Sequence, residues 1–470
     1  METNTARPIL QVANNTLQAH HLQHHTLVLF ADITEPPIEL IRIPIRDVPH
    51  QFASKMHVAI IGAGAAGLAS ARYVTDPKFA FTCEVFEQTN ALGGTWVYTD
   101  STGVDEYGLP VHTSMYHGLV TNLPKEIMDF PDFKFPDYEK SYLTQEEVLQ
   151  YLQSYAKFHK IEQHIKYHHH VKQVHPVANN KWSVTVTDLS TKVDITKEFD
   201  AVMVCNGHYA KPIMAKIAGQ EQFTGQQIHS HDYRKSDPFR NQRVLVVGAG
   251  PSGIDIAFRL IDYASKIILC YKKMRISIPF PQSVTLKPRT VKIENNRAVF
   301  MDNSSEEIDA IIYCTGYEYD FPFLSKECEI KVENNFVQPL YKHLINIERP
   351  TMAIIGIPFT VLPFPMFDFQ ARFFLKHLKG NITLPSKEDM KLDTSRDMEA
   401  RKARGFPIKH AHKLGPEFQG PYFTDLAHVA QIEPLLPVKL NIYADATTKP
   451  DRKNVYKIID TEHFTKTLLT

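Results

Sequence analysis

Two glycine-rich segments of the chain have the spacing of a loop that binds the pyrophosphate of a dinucleotide. Residues 62–67 read GAGAAG and residues 248–253 read GAGPSG. In such a loop the first glycine makes a tight turn and the second lets backbone N–H groups approach the phosphates. The third lets the following helix pack closely on the preceding strand. Because the positive end of that helix also favours phosphate, the spacing predicts two dinucleotide sites in one chain.

Each glycine segment lies between a strand pattern and a helix pattern, which is the context that the motif requires. Apolar strands are predicted over His57–Ile61 and Arg243–Val247, directly before the glycines. Further along, Thr144 and Glu147 have the spacing of a capping box at the start of an amphipathic helix. Two strand–glycine–helix units far apart predict an α/β fold with two Rossmann-like sheets, each binding one dinucleotide. A purely structural glycine turn is a poor explanation for both copies.

The residues that follow the two units differ in charge, and this difference distinguishes the two predicted sites. Glu87 lies 20 residues beyond Gly67, at the end of the next predicted strand. A carboxylate there accepts hydrogen bonds from an adenosine ribose and repels a 2′-phosphate, so this site suits FAD or NAD. In the second copy the corresponding strand runs into Lys272 and Lys273, with Arg275 close behind. These cations favour the 2′-phosphate of NADPH, with a solvated basic turn as the alternative.

The composition excludes several other classes of protein. Lys plus Arg equals Asp plus Glu at 52 each in 470 residues, so no net charge attracts nucleic acid or an anionic membrane. None of the five cysteines forms a Cys-x-x-Cys pair, which argues against a dithiol reductase, and no metal site is predicted. No segment reaches the roughly 18 apolar residues of a membrane-spanning helix. We therefore expect a cytoplasmic protein that acts on small molecules.

Four further motifs occur in order around the two glycine loops. They are LGGTW at residues 92–96, VTNLPKE at 120–126, F-x-G-x-x-x-H-x-x-x-Y at 223–233, and CTGY at 314–317 followed by DFPF at 320–323. Together with the loops they make the chain, from Met56 to about Gly380, resemble the flavin-containing monooxygenases. The resemblance implies an NADPH-dependent flavin monooxygenase of the N,N-dimethylaniline monooxygenase type.

The resemblance also implies roles for individual residues. Those that would bind FAD are Gly62, Ala63, Gly64, Ala65, Ala66, Gly67, Glu87, Gly94, Thr95 and Trp96. Those that would bind NADP are Gly248, Gly250, Ser252, Gly253, Ile254, Asp255, Lys272 and Lys273. Thr121 and Asn122 would contact both flavin and nicotinamide, and His229 would tether the linker between the two domains.

The implied reaction transfers one oxygen atom of O2 through a C4a-hydroperoxyflavin to a soft nitrogen or sulfur nucleophile, such as a tertiary amine, an alkaloid or a sulfide. We predict Asn122 as the catalytic side chain, because an amide can donate and accept a hydrogen bond at once. The alternative is that Asn122 forms an Asx turn before Leu123 and Pro124.

The implied domain organisation places the NADPH domain inside a discontinuous FAD domain. The expected boundaries are a poorly ordered extension at 1–55, FAD-domain parts at 56–210 and 306–470, and the NADPH domain with its linker at 211–305. A Baeyer–Villiger monooxygenase is an alternative, although the linker motif ends in Tyr233-Arg234 rather than the tryptophan typical of that class. A non-catalytic flavoprotein is another. The sequence shows no hydrophobic C-terminal anchor and leaves homo-oligomerisation open.

Overall fold

The structure is a computed structural model that describes residues 55–272, 280–448 and 450–469. All but the last residue of the predicted extension lies outside the described residues, as do Lys273 and Arg275. The described helices are α1 (Ala65–Val74), α2 (Gln145–Phe158), α3 (Pro251–Arg259), α4 (Pro363–Leu378), α5 (Lys387–Ala403), α6 (Gly415–Ala430) and α7 (Pro437–Thr448).

The strands in the first half of the chain are β1 (His57–Ile61), β2 (Thr82–Phe86), β3 (Ile165–Lys166), β4 (His169–Pro176), β5 (Trp182–Asp188), β6 (Val193–Phe199), β7 (Ala201–Val204), β8 (Lys211–Pro212) and β9 (Gln226–His229). Those that follow, up to the end of the second sheet, are β10 (Arg243–Val247), β11 (Lys266–Tyr271), β12 (Val284–Pro288), β13 (Thr290–Glu294), β14 (Arg297–Phe300), β15 (Ser305–Glu307) and β16 (Ala310–Tyr313). The remaining strands are β17 (Tyr317–Glu318), β18 (Lys331–Glu333), β19 (Phe336–Gln338), β20 (Leu340–Tyr341), β21 (Ile345–Asn346), β22 (Met352–Ile354), β23 (Asn454–Ile458) and β24 (Phe464–Leu468).

The first large sheet has seven strands in the order β20-β21-β22-β7-β1-β2-β3. Its centre is parallel, because β1 pairs in parallel with both β2 and β7, and β22 pairs in parallel with β7. Residues 58–61 of β1 are all buried, as expected for a strand covered on both faces of a parallel sheet. Helix α1 packs against α4 on one of these faces, where the fully buried Phe369, Phe373 and Phe374 belong to the apolar core.

The second large sheet has five parallel strands in the order β12-β11-β10-β16-β9. All of its strands lie between residues 226 and 313, whereas the first sheet takes its strands from both sides of that range. The second sheet is thus inserted in the chain of the first, which confirms the predicted fold class. The expected residue boundaries of the domains stay a prediction.

Smaller elements surround the two sheets. A three-stranded antiparallel sheet has the order β4-β5-β6, and another has the order β13-β14-β15. The capping box of α2 forms as predicted: the Thr144 hydroxyl accepts from the Glu147 N–H at 3.4 Å, and the Glu147 carboxylate accepts from the Thr144 N–H at 2.7 Å. Within the described ranges, none of the helices has the length and apolar character needed to cross a membrane.

Candidate functional site

The glycine loop at residues 62–67 joins β1 to α1 and requires glycine for steric reasons. Gly62 has a φ of 100°, and a Cβ there would lie 2.7 Å from the carbonyl oxygen of Cys205. A Cβ on Gly67 would lie 1.9 Å from the Gly62 oxygen, so the first turn of α1 fits against the strand only without a side chain. Helix α1 begins after its N-cap residue Gly64, which provides no side-chain cap. Its first N–H groups are therefore suited to an anion.

Glu87 is buried beside this loop, directly after β2, and its carboxylate is fixed from two sides. One oxygen accepts from the Ala63 N–H at 2.9 Å. The other accepts from the Thr89 N–H at 2.9 Å and from the Thr89 hydroxyl at 2.8 Å. Because ionised carboxylate oxygens have about four acceptor positions, Glu87 can still accept from ribose hydroxyl groups. We call residues 62–67 together with Glu87 the first cradle.

The LGGTW segment covers the first cradle. The Gly93 N–H donates to the Ala63 oxygen at 3.0 Å, and a Cβ on Gly94 would lie 2.9 Å from the Cα of Gly64. The oxygen of Trp96 accepts from the Gln145 side chain on α2 at 2.6 Å. Of the other residues predicted here, Ala63, Ala65 and Ala66 are buried, and Thr95 and Trp96 are half-buried. The structure therefore brings all the residues predicted to bind FAD to one end of the first sheet.

The second glycine loop, at residues 248–253, repeats this backbone between β10 and α3. Gly248 has a φ of 110°, and a Cβ on Gly253 would lie 1.8 Å from the Gly248 oxygen. A Cβ on Gly250 would meet no atom of the described residues within 4 Å, so this part of the structure leaves space at the position where phosphates would approach. Ser252 is half-buried and Ile254 is buried.

The end of the following strand, β11, carries no carboxylate. Lys272 is exposed directly after the strand, and Lys273 lies outside the described residues. A bound 2′-phosphate would meet a cation here, whereas it would meet a buried carboxylate at Glu87 in the first cradle. We call residues 248–253 together with Lys272 the second cradle.

Asp255 was predicted as a cofactor contact, but its carboxylate is occupied by protein groups. It accepts from the Tyr116 hydroxyl at 2.6 Å, from Arg259 at 2.7 Å and from Arg452 at 2.5 Å. Burial alone would raise the pKa of this carboxyl, but the two arginines and the tyrosine outweigh burial and hold it below its usual range. Asp255 therefore joins α3 to distant parts of the chain. Tyr116, Arg259 and Arg452 lie outside the motifs, so no sequence pattern indicates their role.

Thr121 and Asn122 differ in their environment. Thr121 is buried, its N–H donates to the Leu143 oxygen at 2.8 Å, and its hydroxyl accepts from the Leu143 N–H at 3.1 Å. Asn122 is exposed. The alternative Asx turn does not form, because it needs the N–H of residue 124, which is a proline. The Asn122 amide is therefore held on a fixed backbone and is open to a ligand.

The segment before Asn122 is hydrogen-bonded to residues that lie next to each of the two cradles. On the side of the first cradle, Gln145 donates from its backbone to the Leu119 oxygen at 2.9 Å and from its side chain to Trp96. On the side of the second cradle, Arg259 of α3 donates to the Gly118 oxygen at 2.6 Å. The structure thus places Asn122 on a connection between the two predicted dinucleotide sites.

The histidine of the linker motif is buried and neutral. Burial and the neighbouring His231 lower the pKa of His229 to about 4. Its Nδ1 accepts from the His231 N–H at 3.0 Å. The contacts to the segment near residue 111 come instead from His231, which lies 2.9 Å from the Val111 oxygen, and from Arg234, which donates to the Thr113 oxygen at 3.2 Å. The hydrogen bonds from the linker to residues 111–113 therefore come from His231 and Arg234, and the tethering role of His229 stays a prediction.

The parts of the chain that match known proteins include both cradles. A family model described as flavin-binding monooxygenase-like matches residues 55–279 and 277–446. Senecionine N-oxygenase of Tyria jacobaeae is 34% identical over 88% of this chain and 93% of its own length. The flavin-containing monooxygenase FMO GS-OX-like 6 of Arabidopsis thaliana is 38% identical over 80% of this chain and 84% of its own. The structure of S-allyl-L-cysteine S-oxygenase from Allium sativum matches with a TM-score of 0.79 and 32% identity, over 84% of this chain and 92% of the other.

Proposed function

Because the chain belongs to the flavin-binding monooxygenase-like family, we propose that Asn122, between the two cradles, takes part in transferring one oxygen atom of O2 to a nitrogen or sulfur nucleophile. Family membership confirms the prediction of a flavin monooxygenase that uses FAD and NADP. The observation that carries the proposed site is an exposed amide on a segment hydrogen-bonded toward both cradles.

In this proposal the first cradle holds FAD. The uncapped start of α1 and the loop glycines receive the pyrophosphate, and Glu87 accepts from the ribose. Bound FAD supplies the reduced ring that activates O2. The cover formed by Gly93, Gly94 and Trp96 restricts access of water to the loop beneath it.

The second cradle holds NADP(H) in this proposal. The open position at Gly250 admits the pyrophosphate, and Lys272 pairs with the 2′-phosphate. Asp255 acts indirectly, by fixing α3 to Tyr116 and so to the segment that carries Asn122. The neutral His229 adds no positive charge near the linker.

The proposed role of Asn122 is to orient the reacting groups. Its amide can donate one hydrogen bond and accept another, while the two Thr121–Leu143 hydrogen bonds keep the backbone in place. We propose that neutral tertiary amines and sulfides are the substrates, in keeping with the N-oxygenase and S-oxygenase among the relatives.

Labelled oxygen tests the proposal directly. The full chain, loaded with FAD, is mixed with NADPH and ¹⁸O2 in the presence of a tertiary amine, a sulfide or a cyclic ketone. We expect one labelled oxygen atom in the amine oxide or sulfoxide for each NADPH consumed, detected by mass spectrometry. Labelled lactone from the ketone alone would favour the Baeyer–Villiger alternative. If NADPH fails to bleach the flavin absorbance, the protein is a non-catalytic flavoprotein and the proposal is wrong.

Other expectations about the protein stay predictions. We propose that the protein resides in the cytoplasm and binds no nucleic acid, because its 52 basic and 52 acidic side chains balance. Size-exclusion chromatography with light scattering would give the oligomeric state of the FAD-loaded protein.

A further inference from the structure

Arg452 connects the C-terminal part of the chain to the helix of the second cradle. It lies between α7 and β23, is partly exposed, and places one guanidinium nitrogen 2.5 Å from an oxygen of Asp255. The other carboxylate oxygen of Asp255 accepts from Tyr116 and Arg259. Arg452 thus adds a third, long-range partner to a carboxylate that already has two.

The hairpin that follows Arg452 is attached to the loop that carries Asn122. The Tyr456 N–H of β23 donates to the Ser141 hydroxyl at 2.8 Å, and that hydroxyl donates to the Glu126 carboxylate at 3.0 Å. The Ser141 backbone oxygen also accepts from the Lys125 N–H at 2.7 Å. Lys125 and Glu126 belong to the VTNLPKE segment at residues 120–126. The hairpin therefore contacts the Asn122 loop on one side and α3, through Arg452, on the other.

We propose that Arg452 is a positioning residue whose ion pair with Asp255 sets the orientation of α3, and with it the second glycine loop, relative to the Asn122 loop. This inference rests on the proposed binding of NADP(H) in the second cradle. A carboxylate held by Tyr116 and Arg259 alone is fixed only to α3 itself and to the segment at 116–118. Arg452 adds a contact from the hairpin that is docked on Ser141 and Glu126.

The variant Arg452→Gln removes the charge and leaves Asp255 paired. Helix α3 should therefore stay folded while its orientation becomes less restricted. We expect NADP⁺ to bind the oxidised, FAD-loaded Arg452→Gln protein about fivefold more weakly than wild type, measured by isothermal titration calorimetry. In the protein without NADP⁺, we expect faster hydrogen exchange at residues 116–122. Arg452→Lys, which keeps the charge, should restore binding to within about twofold of wild type.

Lys466→Met provides the matched control. Lys466 lies in the same hairpin, on β24, and pairs with Asp445 at 2.8 Å without contacting α3. Its loss should leave both NADP⁺ binding and exchange at 116–122 as in wild type.

Two results would overturn the inference. One is wild-type NADP⁺ affinity and unchanged exchange in Arg452→Gln. The other is an equal loss of affinity in Lys466→Met, which would assign the effect to hairpin stability rather than to the ion pair. If wild-type protein itself fails to bind NADP⁺, the assignment of the second cradle is wrong, and hydrogen exchange still decides whether Arg452 positions the 116–122 segment.

Discussion

The first and second cradles have nearly the same backbone but different surroundings. Their leading glycines have φ values of 100° and 110°. A Cβ on the third glycine would lie 1.9 Å from the oxygen of the leading glycine in the first cradle and 1.8 Å from it in the second. In contrast, the middle glycine of the first loop lies against Gly94, whereas a Cβ on Gly250 would meet no neighbour among residues 55–272, 280–448 and 450–469. The first cradle ends in a buried carboxylate, Glu87, and the second in an exposed lysine, Lys272. In our proposal the shared backbone accounts for pyrophosphate binding, and the surroundings determine which dinucleotide each cradle holds.

The largest effect is expected from a substitution that the backbone of one cradle cannot accommodate. Gly67→Ala places a methyl group 1.9 Å from the Gly62 oxygen and should reduce the free energy of unfolding by about 3 kcal/mol, with loss of FAD. The ratio of flavin to protein absorbance and a thermal unfolding curve measure both effects. Gly250→Ala is the control in the second cradle, since the space there is open, and it should fold and keep FAD. Equal FAD content in the two variants would contradict the steric account.

Removing the amide between the cradles should affect the reaction without affecting the fold. Because Asn122 is exposed, Asn122→Ala should keep wild-type FAD content and thermal stability. We expect the yield of oxygenated product per NADPH to fall about 100-fold, with H2O2 released instead. Product and peroxide assays on the same sample measure this yield. Full coupling in Asn122→Ala would show that the amide has no catalytic role.

Lowering the pH should reduce the free energy of unfolding through a histidine at the end of β9. His229, the last residue of β9, has its pKa lowered to about 4, below the value near 6.5 of an unfolded histidine. The unfolded chain therefore binds a proton that the folded chain resists, and stability present above pH 6.5 is lost as the pH falls toward 4. Between pH 7.5 and pH 4.5 the loss attributable to His229 is about 2.5 kcal/mol. Urea unfolding of wild type and His229→Asn between pH 7.5 and 4.5 should show a shallower decline in the variant, and parallel declines would contradict this.

The smallest effect concerns the charge that distinguishes the second cradle from the first. Lys272→Ala should raise the KM for NADPH about fivefold and leave the KM for NADH unchanged, because only NADPH carries the 2′-phosphate. The exposed Lys292 on β13 serves as a control site, and Lys292→Ala should change neither value. A similar rise for both cofactors in Lys272→Ala would remove the basis for NADP selectivity at this residue. Steady-state kinetics at fixed ionic strength provide the measurement.

Local patterns made the fold and the two loops predictable. Strand β1, Gly62 and helix α1 are adjacent in sequence, so the rules for tight turns and close helix packing apply without knowledge of distant residues. The capping box at Thr144 was predictable for the same reason. Glu87 could be placed because the distance from Gly67 follows from the length of one helix and one strand.

Contacts between distant residues could not be predicted in this way. The carboxylate of Asp255 binds Tyr116 and Arg452, which are 139 and 197 residues away. Neither partner belongs to a motif, and no period or spacing relates them. Arg234 donates to Thr113, which is 121 residues away, so its role in holding the linker could not be predicted either. The sequence therefore predicted the binding loops but not the groups that orient them.

The backbone of Gly93 and Gly94 lies over the first loop, joined to it by the Gly93–Ala63 hydrogen bond. In the proposed arrangement FAD can enter or leave only when this segment opens, which would also release Trp96 from Gln145. We therefore expect bound FAD to dissociate much more slowly than the nicotinamide dinucleotide, which is replaced each time it is consumed.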